Sequence, residues 1–156
     1  MKAIEVRVGN YAKVDNPKSW SDLKDKTMIV CCIEQFRKNE DAIIGLNYLN
    51  ESFNITFPMV SQYDKYIKPI PLTEEWLVKL GFEVNKCLGR EYYWIDLTKD
   101  QSTYIYYHFK DGVCVGNGIS VSGSEEYERT YFVDLQYVHQ LQNLYFALKA
   151  NELILK

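Results

Sequence analysis

Thr103-Tyr104-Ile105-Tyr106-Tyr107-His108-Phe109-Lys110-Asp111-Gly112-Val113-Cys114-Val115 is the stretch that decides how this chain folds. Over Thr103 to Lys110, Ile105, Tyr107 and Phe109 fall on one side of an extended backbone. Tyr104, Tyr106, His108 and Lys110 fall on the other, which is the alternation of a half-buried strand. Asp-Gly between two apolar runs is the pair a two-residue hairpin turn selects, because both positions need positive φ. An antiparallel sheet is therefore predicted. Upstream, Tyr92 to Leu97 repeats the alternation, with Tyr92, Trp94 and Asp96 opposing Tyr93, Ile95 and Leu97. Downstream, Val113 to Val121 and Tyr127 to Val133 extend the sheet. Gly116-Asn117-Gly118 reads as a bulge or a close backbone approach. Lys99-Asp100-Gln101 and Ser122-Gly123-Ser124 are loops by composition.

Two helices flank this region in the sequence. Lys68-Pro69-Ile70-Pro71-Leu72 is a stiff connector, since each proline fixes its own φ and extends the residue before it. Thr73 then suits an N-cap, and Glu74 and Glu75 suit the positive end of a helix dipole. Leu72 and Leu77 stand at staple positions. Gly81 fits a left-handed cap with Phe82 folding back on Leu77, so a helix is predicted over 74–80. A second helix is predicted over 135–149, with Asp134 as N-cap. Tyr137, Val138, Leu141, Leu144, Tyr145 and Leu148 form its apolar stripe. Leu135, His139, Gln142 and Phe146 line up on roughly the opposite side. A helix with two such faces is expected either to lie between its own sheet and the N-terminal half, or to meet a partner or a second copy of the chain. Glu152 to Leu155 reads as a short closing strand.

The first seventy residues read as short strands broken by turns. Ile4 to Val8, Tyr11 to Val14, Thr27 to Phe36, Ala42 to Leu49 and Phe53 to Phe57 are the candidates, followed by Tyr63 and Tyr66-Ile67. Close spacing of short strands suggests a small barrel, and an SH3-like barrel is the expectation. The predicted fold class is α+β. A barrel-like subdomain over 1–68 precedes a subdomain over 69–156 of helix, antiparallel sheet and helix.

Three stretches resemble a recurrent group of short proteins of gut bacteria, their phages and mobile elements. They are Arg7-Val8-Gly9-Asn10-Tyr11, Pro69-Ile70-Pro71-Leu72-Thr73-Glu74-Glu75-Trp76-Leu77 with Leu80-Gly81-Phe82, and Val138-His139-Gln140-Leu141-Gln142-Asn143-Leu144-Tyr145-Phe146-Ala147-Leu148. The resemblance covers both ends and the connector, while the strands between match in pattern only. The function of the group is unknown, and it brings no catalytic residue with it. It implies a bacterial or phage cytoplasmic origin and an accessory role. Similar proteins carry a glycine just after the third stretch. Here Lys149-Ala150-Asn151 stands instead, and Asn151 is the residue expected to take a left-handed cap.

Composition narrows the function classes. The chain has 156 residues, enough for one domain or two small ones, with 47% hydrophobic and 25% charged residues. The net charge of −3 argues against nucleic acid as a partner, since phosphate binding is driven by basic side chains. Met1 to Arg7 contains no apolar core of a signal peptide, and no apolar run is long enough to span a membrane, so we expect a cytoplasmic chain. Cys31, Cys32, Cys87 and Cys114 lack the spacing of a disulfide framework or a zinc site and read as reduced thiols.

Catalytic chemistry finds little support in the sequence. His108 and His139 stand on different elements, so no metal or cofactor is expected. Cys114 and His108 lie on strands joined by the Asp111-Gly112 hairpin and are near cross-strand neighbours. A buried cysteine beside a half-exposed histidine is the simpler account, since no oxyanion hole or orienting acid is identifiable. Gly116-Asn117-Gly118 lacks the context of a phosphate loop. The 13 tyrosines, 7 phenylalanines and 3 tryptophans are the one compositional oddity. On the predicted sheet they leave one aliphatic and aromatic face suited to a core. Tyr92, Trp94, Tyr104, Tyr106 and His108 share the other, a face of rings with polar tips that suits a contact surface. Together with Leu135, His139, Gln142 and Phe146 they are the candidate interaction residues. The expected role is a non-enzymatic accessory module that binds a protein, either itself or another. A small-molecule enzyme using His108 or His139 is the alternative, and a nucleic-acid binder acting through the N-terminal barrel is the third possibility.

Overall fold

A computed structural model of the chain describes residues 6–15, 26–34, 42–49, 55–87, 90–110, 113–122 and 128–156. Residues 4–5 of the strand predicted over Ile4 to Val8 and the Asp111-Gly112 turn lie outside the described residues, and Val6 to Val8 belong to no strand. The chain divides into two compact units. The first comprises Met1–Pro71 and Tyr137–Phe146, and the second Leu72–Gln136 and Ala147–Lys156.

In the first unit β1 (Tyr11–Val14), β2 (Thr27–Glu34), β3 (Ile43–Leu49), β4 (Ile55–Tyr63) and β5 (Ile67–Lys68) form one antiparallel sheet. Their order is β4-β3-β2-β1-β5. Ala12, Val14, Met28, Val30, Ile44, Leu46 and Ile67 are buried and make one core cluster. Arg7-Val8-Gly9-Asn10 turns into β1. The Asn10 N–H donates to the Arg7 carbonyl at 3.0 Å, and Gly9 takes φ 94° at the third position, where only a residue without Cβ sits easily.

In the second unit β6 (Glu83–Cys87), β7 (Arg90–Asp96), β8 (Thr103–Lys110), β9 (Val113–Ser122) and β10 (Glu128–Phe132) form a second antiparallel sheet in the order β10-β9-β8-β7-β6. Pairing of β8 and β9 runs out to Lys110↔Val113. The register shifts between His108↔Gly116 and Phe109↔Cys114, so the bulge lies one step before the glycines and leaves Val115 exposed. Tyr93, Ile105, Tyr107 and Phe109 are buried on one face, with Tyr93 edge-on to Phe109 at 5.4 Å. Phe82 meets Tyr107 edge-on at 5.9 Å.

The fold class expected above is corrected by these sheets. Strands make up most of the described secondary structure, and the two α-helices have only 6 and 12 residues, so the chain is mostly β rather than α+β. The N-terminal sheet is not a closed SH3-like barrel. Closure requires the end strands to pair. Among the described residues β4 and the two-residue β5 stand at opposite ends of the strand order. Nor do the helices flank a single sheet, because most of the second helix belongs to the first unit.

α1 (Glu74–Lys79) has the expected ends. Thr73 Oγ1 accepts from the Trp76 N–H at 3.4 Å. Gly81 takes φ 84°, its N–H donates to the Val78 carbonyl at 2.9 Å, and the Phe82 N–H donates to the Leu77 carbonyl at 3.0 Å. These are the two bonds of a Schellman cap. A Cβ at Gly81 would come within 2.6 Å of the Lys156 side chain, which lies over it. The Lys156 N–H donates to the Lys79 carbonyl at 2.9 Å. Residues 152–156 belong to no strand, although Leu153 and Leu155 are buried and Ile154 is exposed.

α2 (Val138–Lys149) begins three residues later than predicted, and Asp134 is not its cap. Residues 70–72 hold 136–138 in place: Leu72 N–H to Gln136 carbonyl, a Pro71↔Tyr137 bridge, and Val138 N–H to Ile70 carbonyl. Tyr137 occupies the cap position, and its N–H is taken by Gln140 Oε1 at 3.1 Å, one half of a capping box. At the other end Ala150, not Asn151, is left-handed, with φ 54°. An alanine there pays about 1–2 kcal/mol that glycine avoids. Ala150→Gly should raise stability by about 1 kcal/mol in urea titrations; an unchanged midpoint would show that the strain is absent.

Candidate functional site

The face of the second sheet opposite its core carries a hollow of about 500 Å³. Its walls are Tyr92, Trp94 and Asp96 from β7, Gln101 from the β7–β8 turn, and Tyr104 and Tyr106 from β8, and it also touches Tyr93, whose ring is buried on the core face. Register explains the gathering. Trp94 pairs with Tyr106 and Asp96 with Tyr104, and alternation sends all four side chains to one face. Tyr106 pairs on its other side with Gly118, so no side chain crowds that edge of its ring. The Tyr104 and Tyr106 rings are 6.4 Å apart and inclined at 62°. They form an angled wall rather than a flat platform.

Behind the wall Tyr93 and Glu91 of β7 are paired. The Tyr93 hydroxyl donates to Glu91 Oε2 at 2.8 Å, and burial together with that acceptor pushes the phenol pKa well above its usual range. Glu91 also pairs with Lys86, which lowers the carboxyl pKa and raises that of the lysine. Asp96 has neither a hydrogen bond nor an ion pair to its carboxylate among the described residues, and no lysine, arginine or histidine lines the hollow.

The turn between β7 and β8 is tightly bonded. Thr98 Oγ1 accepts from the Thr103 N–H at 3.0 Å, and Asp100 Oδ1 accepts from the Ser102 N–H at 3.2 Å and from its hydroxyl at 2.8 Å. The Thr98 and Ser102 hydroxyls hold the Asp100 carboxyl down to about 2, from an ordinary 3.8. A depressed folded value means the turn's contribution is complete above the unfolded value and fades as pH falls towards 2. The Ser102 amide resonance should accordingly titrate with a midpoint near 2, and Asp100→Asn should abolish that step. A midpoint at the ordinary value would remove the bonded turn.

Gln101, at the rim of the hollow, has φ 60°. A non-glycine residue in this region stores about 1–2 kcal/mol, and such strain concentrates at functional positions. Gln101→Gly should therefore stabilise the chain by about 1 kcal/mol in denaturant titrations while removing a polar group from the rim. A loss of stability would mean that glutamine is at ease there.

Of the candidate residues, Tyr92, Trp94, Tyr104 and Tyr106 come together at the hollow. His108 sits one pair further along, stacked on Tyr92 with centroids 4.5 Å apart and planes 11° apart. Cys114 pairs with Phe109 across the bulge rather than with His108, and its thiol donates to the Gly116 carbonyl at 3.6 Å. Cys31, Cys32 and Cys114 are thiols, and burial raises the pKa of Cys31. No three His, Cys, Asp or Glu side chains converge among the described residues.

The residues named on α2 do not make one surface. Leu135 is half-buried in the second unit. His139 and Gln142 are buried in the first and offer nothing to solvent. His139 stacks on Tyr137 at 5.8 Å. Gln142 Oε1 accepts from the Tyr11 N–H at 2.9 Å, and its Nε2 donates to the Gly9 carbonyl at 3.1 Å. Asn143 Oδ1 accepts from Asn10 Nδ2 at 2.9 Å and Arg7 Nε at 3.2 Å. Phe146 is 37% exposed, with the Arg7 guanidinium 4.0 Å from its ring centroid. Sequence reasoning missed Gln101 as a site residue, because a positive φ at glutamine leaves no compositional signal, and placed Asp96 on the face without weighing its charge.

No protein-family model, curated protein or solved structure matches the chain. No helix among the described residues is long and apolar enough to cross a membrane.

Proposed function

We propose that this chain is a non-enzymatic accessory protein of the bacterial or phage cytoplasm that binds another protein through the hollow on its second sheet. The observation that carries the reading is one concave patch lined by Tyr92, Trp94, Tyr104 and Tyr106 and by a carboxylate, Asp96, that has no counter-ion among the described residues. Tyrosine and tryptophan supply large contact areas at little cost in rotamer entropy, and they dominate protein-binding surfaces. The enzyme alternative is less well supported. His108 has its ring against Tyr92, and no carboxylate or thiol bonds to it among the described residues.

A displayed random-peptide library panned on the whole chain tests the reading. Enriched peptides should bind the native chain and lose binding to a Trp94→Ala/Tyr106→Ala variant that keeps its amide spectrum. Enrichment of nothing, or of peptides indifferent to the variant, overturns it. Sedimentation separates a second copy of the chain from a foreign partner.

A further inference from the structure

We infer that the hollow receives a cationic side chain of the partner, an ammonium or guanidinium group seated among Trp94, Tyr104 and Tyr106 and facing Asp96. The inference rests on the protein-binding reading and specifies its chemistry. Ring faces carry negative quadrupole density, so a cation within about 6 Å of a ring centroid is attracted, most strongly by tryptophan. Trp94 and Tyr106 are directly paired across the strands, and Tyr104 is inclined at 62° to Tyr106, so the rings surround a volume instead of paving a plane. A flat nucleobase prefers parallel stacking on one ring face, whereas a rounded cation is held by faces at an angle.

Charge points the same way. Asp96 stands within the hollow, half-buried, without hydrogen bond or ion pair among the described residues, and the lining holds no positive group. A carboxylate in that position repels an acidic or phosphorylated partner and completes its pairing with a basic one. Gln101, held at the rim in a strained conformation, adds an amide oxygen that can accept from the incoming N–H groups.

The test uses tetramethylammonium chloride, with sodium chloride at equal ionic strength and tert-butanol as an uncharged probe of similar shape. The readout is the Trp94 indole N–H resonance of the full chain, identified by its loss in Trp94→Phe. Tetramethylammonium should shift it saturably, tert-butanol should leave it in place, and Asp96→Asn should weaken binding about tenfold, equivalent to 1.4 kcal/mol. No saturable shift, an equal response to tert-butanol, or full binding by a folded Asp96→Asn chain overturns the inference. The two readings fail separately. Selected peptides that need Trp94 and Tyr106 but lack Lys and Arg sink the cation and leave protein binding standing. Saturable tetramethylammonium binding with no peptide selected does the reverse.

Discussion

Replacing Gln142 with leucine should lower stability by about 2–4 kcal/mol, although it puts a more apolar residue at a fully buried position. The Gln142 side chain completes the backbone of the turn into β1: its oxygen takes the Tyr11 N–H and its nitrogen supplies the Gly9 carbonyl. Leucine leaves both without a partner. A buried backbone group stripped of its bond costs about 1–3 kcal/mol, and the Gly9 carbonyl, only partly buried, falls at the low end. The gain from an apolar side chain recovers part of this loss. Urea titration with an unchanged m-value measures the difference. A Leu variant within about 0.5 kcal/mol of the native chain would falsify the role assigned to the amide.

Gln142→Glu sharpens the test through its pH dependence. A carboxylate can accept from Tyr11 but repels the Gly9 carbonyl, whereas the protonated acid can bond to both. Burial and that carbonyl raise the folded pKa above the unfolded value of about 4.3. The stability this group contributes is then fully present below the unfolded value and is lost as pH rises through the folded one. The Glu variant should therefore lie closest to the native chain in acid and fall away towards neutral pH. A constant gap between them would point to packing rather than to the hydrogen bonds.

The same amide shows where sequence reading runs out. Alternation and turn chemistry place β8 on its residues, because each local preference there agrees with burial on one face. The ends of α1 are readable for the same reason: Thr73 and Gly81 each meet a stereochemical demand that few residues satisfy. α2 is different. Apolar periodicity selects Tyr137 to Leu148 as its buried stripe, yet Leu148 is 48% exposed and the buried positions are Val138, His139, Leu141 and Gln142. Two of these four are polar, and one of them, Gln142, bonds to the turn at residues 9–11, a pairing 131 residues apart in the chain. No periodicity carries that information. β6 escaped notice for the opposite reason. Glu83-Val84-Asn85-Lys86-Cys87 is a polar edge strand, and an edge needs one partner and little apolar alternation. Within the first unit Arg7 to Tyr11 bonds to Gln142 and Asn143, and Ile70 and Pro71 pair with Val138 and Tyr137. The candidate site was legible in its rings and illegible in its strain, since Gln101 looks like any loop residue until its φ is known.

Leu77→Ala should cost the second unit about 2–5 kcal/mol, out of proportion to the length of the helix that carries it. α1 has 6 residues, too few to hold a helical conformation by its own hydrogen bonds. Its stability must come from the side it buries, and Leu77 and Leu80 are both fully buried. Leu77 also occupies the C-terminal position whose carbonyl receives the Phe82 N–H, and Phe82 in turn lies against Tyr107 of β8. Truncation to alanine thus removes a large buried side chain, leaves a cavity, and loosens the contact that aims Phe82 at the sheet. On the outer side of the same helix Val78 is 52% exposed, so Val78→Ala should stay within about 0.5 kcal/mol of the native chain. Hydrogen exchange read at the β7 and β8 amides follows this unit by itself, without assuming that both units unfold together. Leu77→Ala should speed exchange throughout those strands, and Val78→Ala should not. If the two variants lose protection equally, the burial of Leu77 is not what holds α1 in place. If neither loses any, the sheet stands without its helix, and Leu77 is not the residue that joins them.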